Sequence, residues 1–291
     1  MAKAIWTGST STDFNVASNW APSGVPANGD TLLFNDQAVN SLLVNTTQAA
    51  KTFDVFVDRG FAAYAIGTQA NPLKPDAFNS IIFNASNLVQ SFFQAGSTNI
   101  ARAVVNSASA LNNGVVLQGT LVQIVVLSGK VGFAGTPTIS GRVQVVGSTG
   151  SSPSELTIPS ASTLTGCEFY VEGGKLDCSS DLETIHVADG EFIINGGMDI
   201  TGRLEMTGGR TWWDAFDNTS PSTVALAEIL GGTFATRKER TGRTLTTCNM
   251  YGSGSVDFRI GGIGMTVTNP IRAFGTNQPV FPMGTSYAVT I

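Results

Sequence analysis

From about Gly114 onward, short β-forming runs alternate with glycine-bearing turns. Val115-Val116-Leu117, Val122–Leu127, Val131-Gly132-Phe133, Val143–Val146, Leu156–Ile158, Phe169–Val171, Thr184–Val187 and Phe192–Ile194 open the series. Leu204–Met206, Thr211–Trp213, Val224–Leu226, Thr233–Ala235, Leu245–Cys248 and Val256–Phe258 continue it. Each run is about three to six residues, which suits a strand, and no convincing helical period separates them. That texture excludes doubly wound α/β folds.

The turns recur at Gly173-Gly174, Asp189-Gly190, Gly208-Gly209, Gly231-Gly232 and Gly252-Ser253-Gly254. Between the second glycines the intervals are 16, 19, 23 and 22 residues, a mean of 20. A period in this range marks solenoids, in which one coil cannot bury its inward side chains alone and stacking supplies the core. The pattern therefore predicts an all-β parallel β-solenoid. The span 114–275 accommodates about eight such coils.

Before Gly114 the pattern is less regular. Strand candidates are Ser41–Val44, Phe53–Val57 and Ser80–Phe83. Residues 85–112 are ambiguous: Leu88, Val89, Phe92 and Phe93 fit one helical face, Gly96 interrupts it, and Ala103-Val104-Val105 reads as strand. The expectation there is a coil insertion or a short helix. Residues 1–35 place Trp6, Trp20 and Phe34 among Gly, Asn, Ser and Pro. Parallel stacking leaves raw edges that must be covered. The expected division is an N-terminal cap over 1–35 and a solenoid over 36–291, with Pro270, Pro279 and Pro282 as a candidate cap at the other end.

Composition narrows the function. Hydrophobic residues make up 42%, enough for a large core, while charged residues are only 13%, about half the usual share. Sixteen Lys and Arg against 21 Asp and Glu give a net charge of −5, so no basic stripe offsets phosphate and nucleic acid is not the expected partner. The longest apolar runs, such as Ile124–Leu127, are too short to cross a bilayer, so no membrane partner is expected. The opening Met-Ala-Lys-Ala-Ile-Trp has no apolar signal segment, which predicts no export by the general route. Three cysteines, Cys167, Cys178 and Cys248, are not a disulfide framework; buried thiols are expected, with a Cys167–Cys178 bridge as the alternative.

The opening residues carry a signature: Ile5-Trp6-Thr7-Gly8, Ser18-Asn19-Trp20, Gly24-Val25-Pro26 and Gly29-Asp30, a W-x-G … NW … P-xx-GD pattern. It resembles the start of autotransporter-type β-helix passengers and of bacteriophage virion β-helix proteins. Gly60-Phe61, Ile66-Gly67-Thr68, Pro72-Leu73 and Leu127–Gly132 are similar to the phage-associated members. The phage resemblance implies a right-handed parallel β-helix, oligomeric, displayed on head or tail.

Candidate chemistry is sparse. His186 is the sole histidine, without the partner set that triads or metal sites need, so no metal or cofactor is expected. Asp177, Asp181, Glu183, Glu191 and Asp199 are candidates for polysaccharide cleavage, with Asp181 and Asp199 placed to fall on neighbouring coils. Nothing separates them from solvated acids. Trp212-Trp213-Asp214 with Phe216 is the densest aromatic site; in a strand one indole points in and the other out. Arg237-Lys238-Glu239-Arg240-Thr241-Gly242-Arg243 is the basic cluster. Trp212, Trp213, Arg237, Lys238, Arg240 and Arg243 are thus the partner-contact candidates. The leading expectation is a non-enzymatic virion structural protein: a capsid decoration or cement protein, made in the host cytoplasm, forming homotrimers that bridge the major capsid protein or another virion protein. The alternative is a tail-spike or fibre domain that binds, and in one form cleaves, surface polysaccharide.

Overall fold

Alternation decides which side of each strand is buried. In the strand Glu168–Cys178, Phe169, Val171, Leu176 and Cys178 turn inward, while Glu168, Tyr170 and Glu172 face outward. This is a computed structural model describing residues 1–291 except 62, 86–88, 108–113, 148–153, 165, 196, 215–220, 238–241, 261–264, 282–288 and 291, with the backbone alone at 289–290. The described strands stack in parallel, rung on rung, as a β-solenoid. The chain divides into two compact units, residues 1–141 with 148–156, and residues 142–147 with 157–291.

In the first unit the successive rungs are Lys3–Trp6, Thr31–Phe34, Thr47–Val57, Lys74–Phe83, Ile100–Asn106 and Thr120–Ser128. Their register stacks Trp6, Phe34, Val57, Phe83, Val105 and Val126 in one buried column. Leu32, Val55, Ile81, Ala103 and Ile124 form a second. A one-residue slip in any rung would expose its whole inner set, so burial itself fixes the register.

Residues 1–35 contain rungs of the stack as well as its cover. Lys3–Trp6 pairs in parallel with Thr31–Phe34 on one edge, and Trp20–Ala21 pairs with its other edge in antiparallel fashion. Both edges of this strand are thereby filled, which removes a template for edge-to-edge association. Around it Trp6, Phe14, Trp20, Phe34 and Phe61 are fully buried, with adjacent ring centroids 5.0–6.3 Å apart.

The region 85–112 departs from expectation in part, since Ala103-Val104-Val105 is strand as its sequence reads. Its described residues form neither an insertion nor a helix: Ser91–Gln94 and Ile100–Asn106 are strands within the stack. Phe93 points in, with no exposure, and Phe92 points out, half-buried. The Phe92 amide donates to Ile66 O at 2.8 Å, and the Gln94 amide to Leu73 O at 3.0 Å. Hydrogen bonds to the preceding coil thus override a weak helical period.

In the second unit the rungs are residues 142–146, Glu168–Cys178, Leu182–Ile194, Ile200–Met206, Ser222–Ile229, Arg243–Tyr251 and Ile271–Phe274. Val145, Val171, Val187, Met206, Ile229, Met250 and Ala273 lie in register, all buried. A second wall carries the buried column Leu176, Phe192, Thr211, Phe234 and Val256. The recurring glycines are the corners between these walls, stacked on one another. A Cβ on Gly232, at φ +75°, would sit 2.4 Å from Gly209 O, and one on Gly190, at φ +78°, 2.4 Å from Gly174 O. The interval between corner glycines is therefore the coil itself. All three cysteines are buried thiols, so the Cys167–Cys178 bridge does not form.

Candidate functional site

The strand Arg210–Trp213 resolves the Trp pair as alternation requires. Trp213 points inward, fully buried. It stacks on Phe234 at 5.6 Å and 17°, and its indole N–H donates to Ser222 Oγ at 2.9 Å. Its carbonyl accepts a hydrogen bond of 2.7 Å from Arg243 Nη2. Arg243 is itself fully buried, since it begins the strand Arg243–Tyr251 in register with Ser222. Two of the expected partner contacts, Trp213 and Arg243, are thus interior residues. Lys238 and Arg240 lie outside the described residues.

Trp212 faces outward and is half-buried. Over its ring lie two guanidinium groups, that of Arg210 from the same strand at 5.0 Å and that of Arg237 from the next coil at 4.6 Å. Arg210 shares the outward face because it is two residues away. Arg237 is fixed from below: its Nε donates to Asp214 Oδ2 at 2.9 Å, its Nη2 donates to the same oxygen, and its Nη1 lies 3.6 Å from Glu191 Oε1. Asp214 is only 4% exposed, so this anchoring carboxylate is held within the wall.

Trp212, Ala235 and Asp257 are register partners on three successive coils. The small Ala235 between an indole and a carboxylate leaves a hollow. The resulting recess has a volume of about 730 Å³. Arg210, Arg237, Arg259 and Asp257 supply its charge; Trp212, Ala235 and Ile260 supply apolar surface, with Thr233 and Thr236 completing the lining. Asp257 is gripped by Arg259 through Nε at 3.0 and 3.2 Å and Nη2 at 2.6 Å. That hydrogen bonding holds the Asp257 carboxyl below its usual range and pushes the Arg259 guanidinium up. Arg210, by contrast, has no ion pair among the described residues.

The remaining candidates serve the walls. His186 stacks on Tyr170 at 5.0 Å and 12°, with Nδ1 3.3 Å from Glu205 Oε2. Arg142 lies over the Tyr170 ring at 4.3 Å, and Arg203 bridges Glu205 and Glu228 at 2.6 and 3.0 Å. Asp181 and Asp199 do fall on neighbouring coils, but as a backbone ladder: Asp181 Oδ1 accepts from the Asp199 amide at 2.8 Å, and Asp199 Oδ1 from the Thr223 amide at 2.6 Å. Asp177 accepts from the Asn195 side chain.

Arg210, Arg259 and Asp257 join the recess without having stood out in the sequence. The coil interval was the available signal, since it carries Trp212 to Ala235 and on to Asp257 in steps of 23 and 22 residues. No family model, curated protein or solved structure matches the chain.

Proposed function

We propose that the chain is a structural protein of a bacteriophage virion, a head decoration or cement protein that works by docking and not by chemistry. The virion part of this reading rests on the resemblance of the opening residues, and the docking part is supported by the recess of the second unit. It offers guanidinium groups and an indole on a braced wall, while the acids that would suit glycan cleavage, Asp181 and Asp199, accept backbone hydrogen bonds from adjacent coils. Preorganised Arg and Trp side chains are the residue types that dominate binding interfaces. A stacked solenoid keeps such a patch rigid, so little ordering entropy is lost on docking.

The test is electron microscopy of the assembled particle with and without this protein. Density on the shell that disappears in its absence is the expected result. Density at the tail tip would overturn the decoration reading. Release of reducing sugar from host capsule by the purified chain would overturn the non-enzymatic one.

A further inference from the structure

We propose that the Trp212 recess is a receptor for an acidic peptide segment, one that carries Asp or Glu side chains next to aliphatic ones. The inference rests on the docking reading above and names what that docking recognises.

The charge balance of the recess points to a carboxylate. Asp257 is already chelated by Arg259, and Arg237 is already oriented by the buried Asp214. Arg210 has no ion pair among the described residues, although its guanidinium is placed over the indole. A guanidinium stacked on an aromatic ring keeps its N–H edges directed outward, and that planar fork matches a carboxylate with two parallel hydrogen bonds. Arg210 therefore presents one such edge beside the ring, while the fork of Arg237 is taken by Asp214 and Glu191 and adds its positive charge alone.

The apolar part of the recess selects among carboxylate bearers. A pyranose ring stacking on the indole of Trp212 would compete with the two guanidinium groups placed over it. What remains is Ala235 at the floor and Ile260, which is 60% exposed. Exposed aliphatic surface beside guanidinium edges fits an aliphatic side chain next to an acidic one. A volume of about 730 Å³ is large enough to take a short segment with its side chains.

Intrinsic fluorescence reads this site directly. Of the four tryptophans, Trp6, Trp20 and Trp213 are fully buried and Trp212 is half-buried. The probes are a hexapeptide alternating Glu, Leu and Asp, its Gln/Leu/Asn twin, and a tetra-uronate, each titrated into the full chain and checked by calorimetry. The acidic peptide is expected to shift the tryptophan emission, to bind at least tenfold more tightly than its amide twin, and to weaken as salt rises. Arg210→Gln, at an exposed residue with no ion pair among the described residues, is expected to weaken it by about tenfold, the loss of a charge-assisted bidentate contact. Arg203→Gln, on the other wall, is expected to leave binding unchanged.

Equal binding of the amide twin, an unaffected Arg210→Gln chain, no binding of any probe, or tighter binding of the tetra-uronate would each overturn the proposal. Particle binding separates this from the broader reading. If the Arg210→Gln chain decorates particles as well as the parent, the recess inference falls and the docking reading stands. If the parent binds the peptide but no particle, the docking reading falls alone.

Discussion

Placing a methyl group at one stacked corner separates two costs that glycine avoids. Gly232 lies at φ +75°, and an added Cβ would meet Gly209 O at 2.4 Å and Gly208 O at 2.5 Å. Gly166 lies at φ +64° with nothing within 4 Å, so alanine there meets the conformational cost alone. Gly254 lies outside the left-handed region, yet its Cβ would approach Ile229 O to 2.1 Å, so alanine there meets the steric cost alone. The left-handed conformation costs about 1–2 kcal/mol for alanine, offset by ~0.4–1 kcal/mol from the stiffer unfolded chain. Overpacking against backbone costs about 1–3 kcal/mol. Gly166→Ala should therefore lose about 1 kcal/mol, Gly254→Ala ~1–3 kcal/mol, and Gly232→Ala roughly their sum, ~2–4 kcal/mol. Against a urea slope of ~2 kcal/mol per molar, a loss of ~3 kcal/mol lowers the midpoint by about 1.5 M. Amide exchange supplies the local readout. Thr233 N–H donates to Gly209 O at 3.1 Å and Ser255 N–H to Gly232 O at 3.0 Å, and both should exchange faster in Gly232→Ala. Equal midpoints for Gly166→Ala and Gly232→Ala would refute the claim that close stacking of corners, beyond backbone handedness, dictates glycine there.

Two further outcomes follow from buried polar chemistry. Asn19 is fully buried; its Oδ1 accepts from the Thr10 and Ser11 amides at 2.9 and 3.0 Å, and its Nδ2 donates to Ser11 Oγ and Asp13 O at 2.9 and 2.8 Å. Asn19→Ala should cost about 2–4 kcal/mol in urea unfolding, with Asn19→Asp intermediate because it keeps only the acceptor contacts; a neutral Asn19→Ala would sink this account of the cap. Burial pushes the Cys178 and Cys248 thiols from 9.0 up to about 12. Their folded values lie above their unfolded ones, so this contribution is complete below pH ~9 and is lost as pH rises toward ~12. Over that window Cys178→Ala should show a shallower fall in stability with pH than the parent, and an identical slope would contradict burial as the cause.

Most of the fold was legible because a solenoid repeats one local problem. Alternation marked the strands, and the corner glycines marked the coil, since each must accept the carbonyl of the coil beneath it. The region 85–112 misled for a physical reason. Four apolar residues within six positions satisfy a helix face as easily as a strand, and only partners on neighbouring coils, Ile66, Leu73 and Leu117, settle the choice. At the site, the Trp212-Trp213 dipeptide guaranteed one outward indole, but which one depends on Trp213 sharing the inward face with Thr211. The basic cluster looked like one loop. Its far end, Arg243, is instead the buried first residue of the next rung, while the cations that do join Arg237, Arg210 and Arg259, come from other coils.

The residues of the W-x-G … NW … P-xx-GD pattern do a different job from those of the recess. Trp6 donates its indole N–H to Asn40 O at 2.8 Å, Trp20 donates to Phe14 O at 2.8 Å, and Asp30 accepts from the amides of Ala2 and Ala27 at 3.1 and 2.8 Å. With Asn19 they close the first rung. Here Trp20–Ala21 fills the edge of Lys3–Trp6 in antiparallel fashion, and this polar and aromatic chemistry holds it there. Residues that hold this strand edge are silent on what the chain binds. Specificity has to come from coils where stacking leaves the outward positions free. Trp212 with its two arginines occupies such a position, and a small Ala235 on the next coil makes it concave. Enlarging Ala235 should therefore close the recess without disturbing the packing of Trp6, Phe14 and Trp20, which a peptide titration read beside a urea midpoint would check.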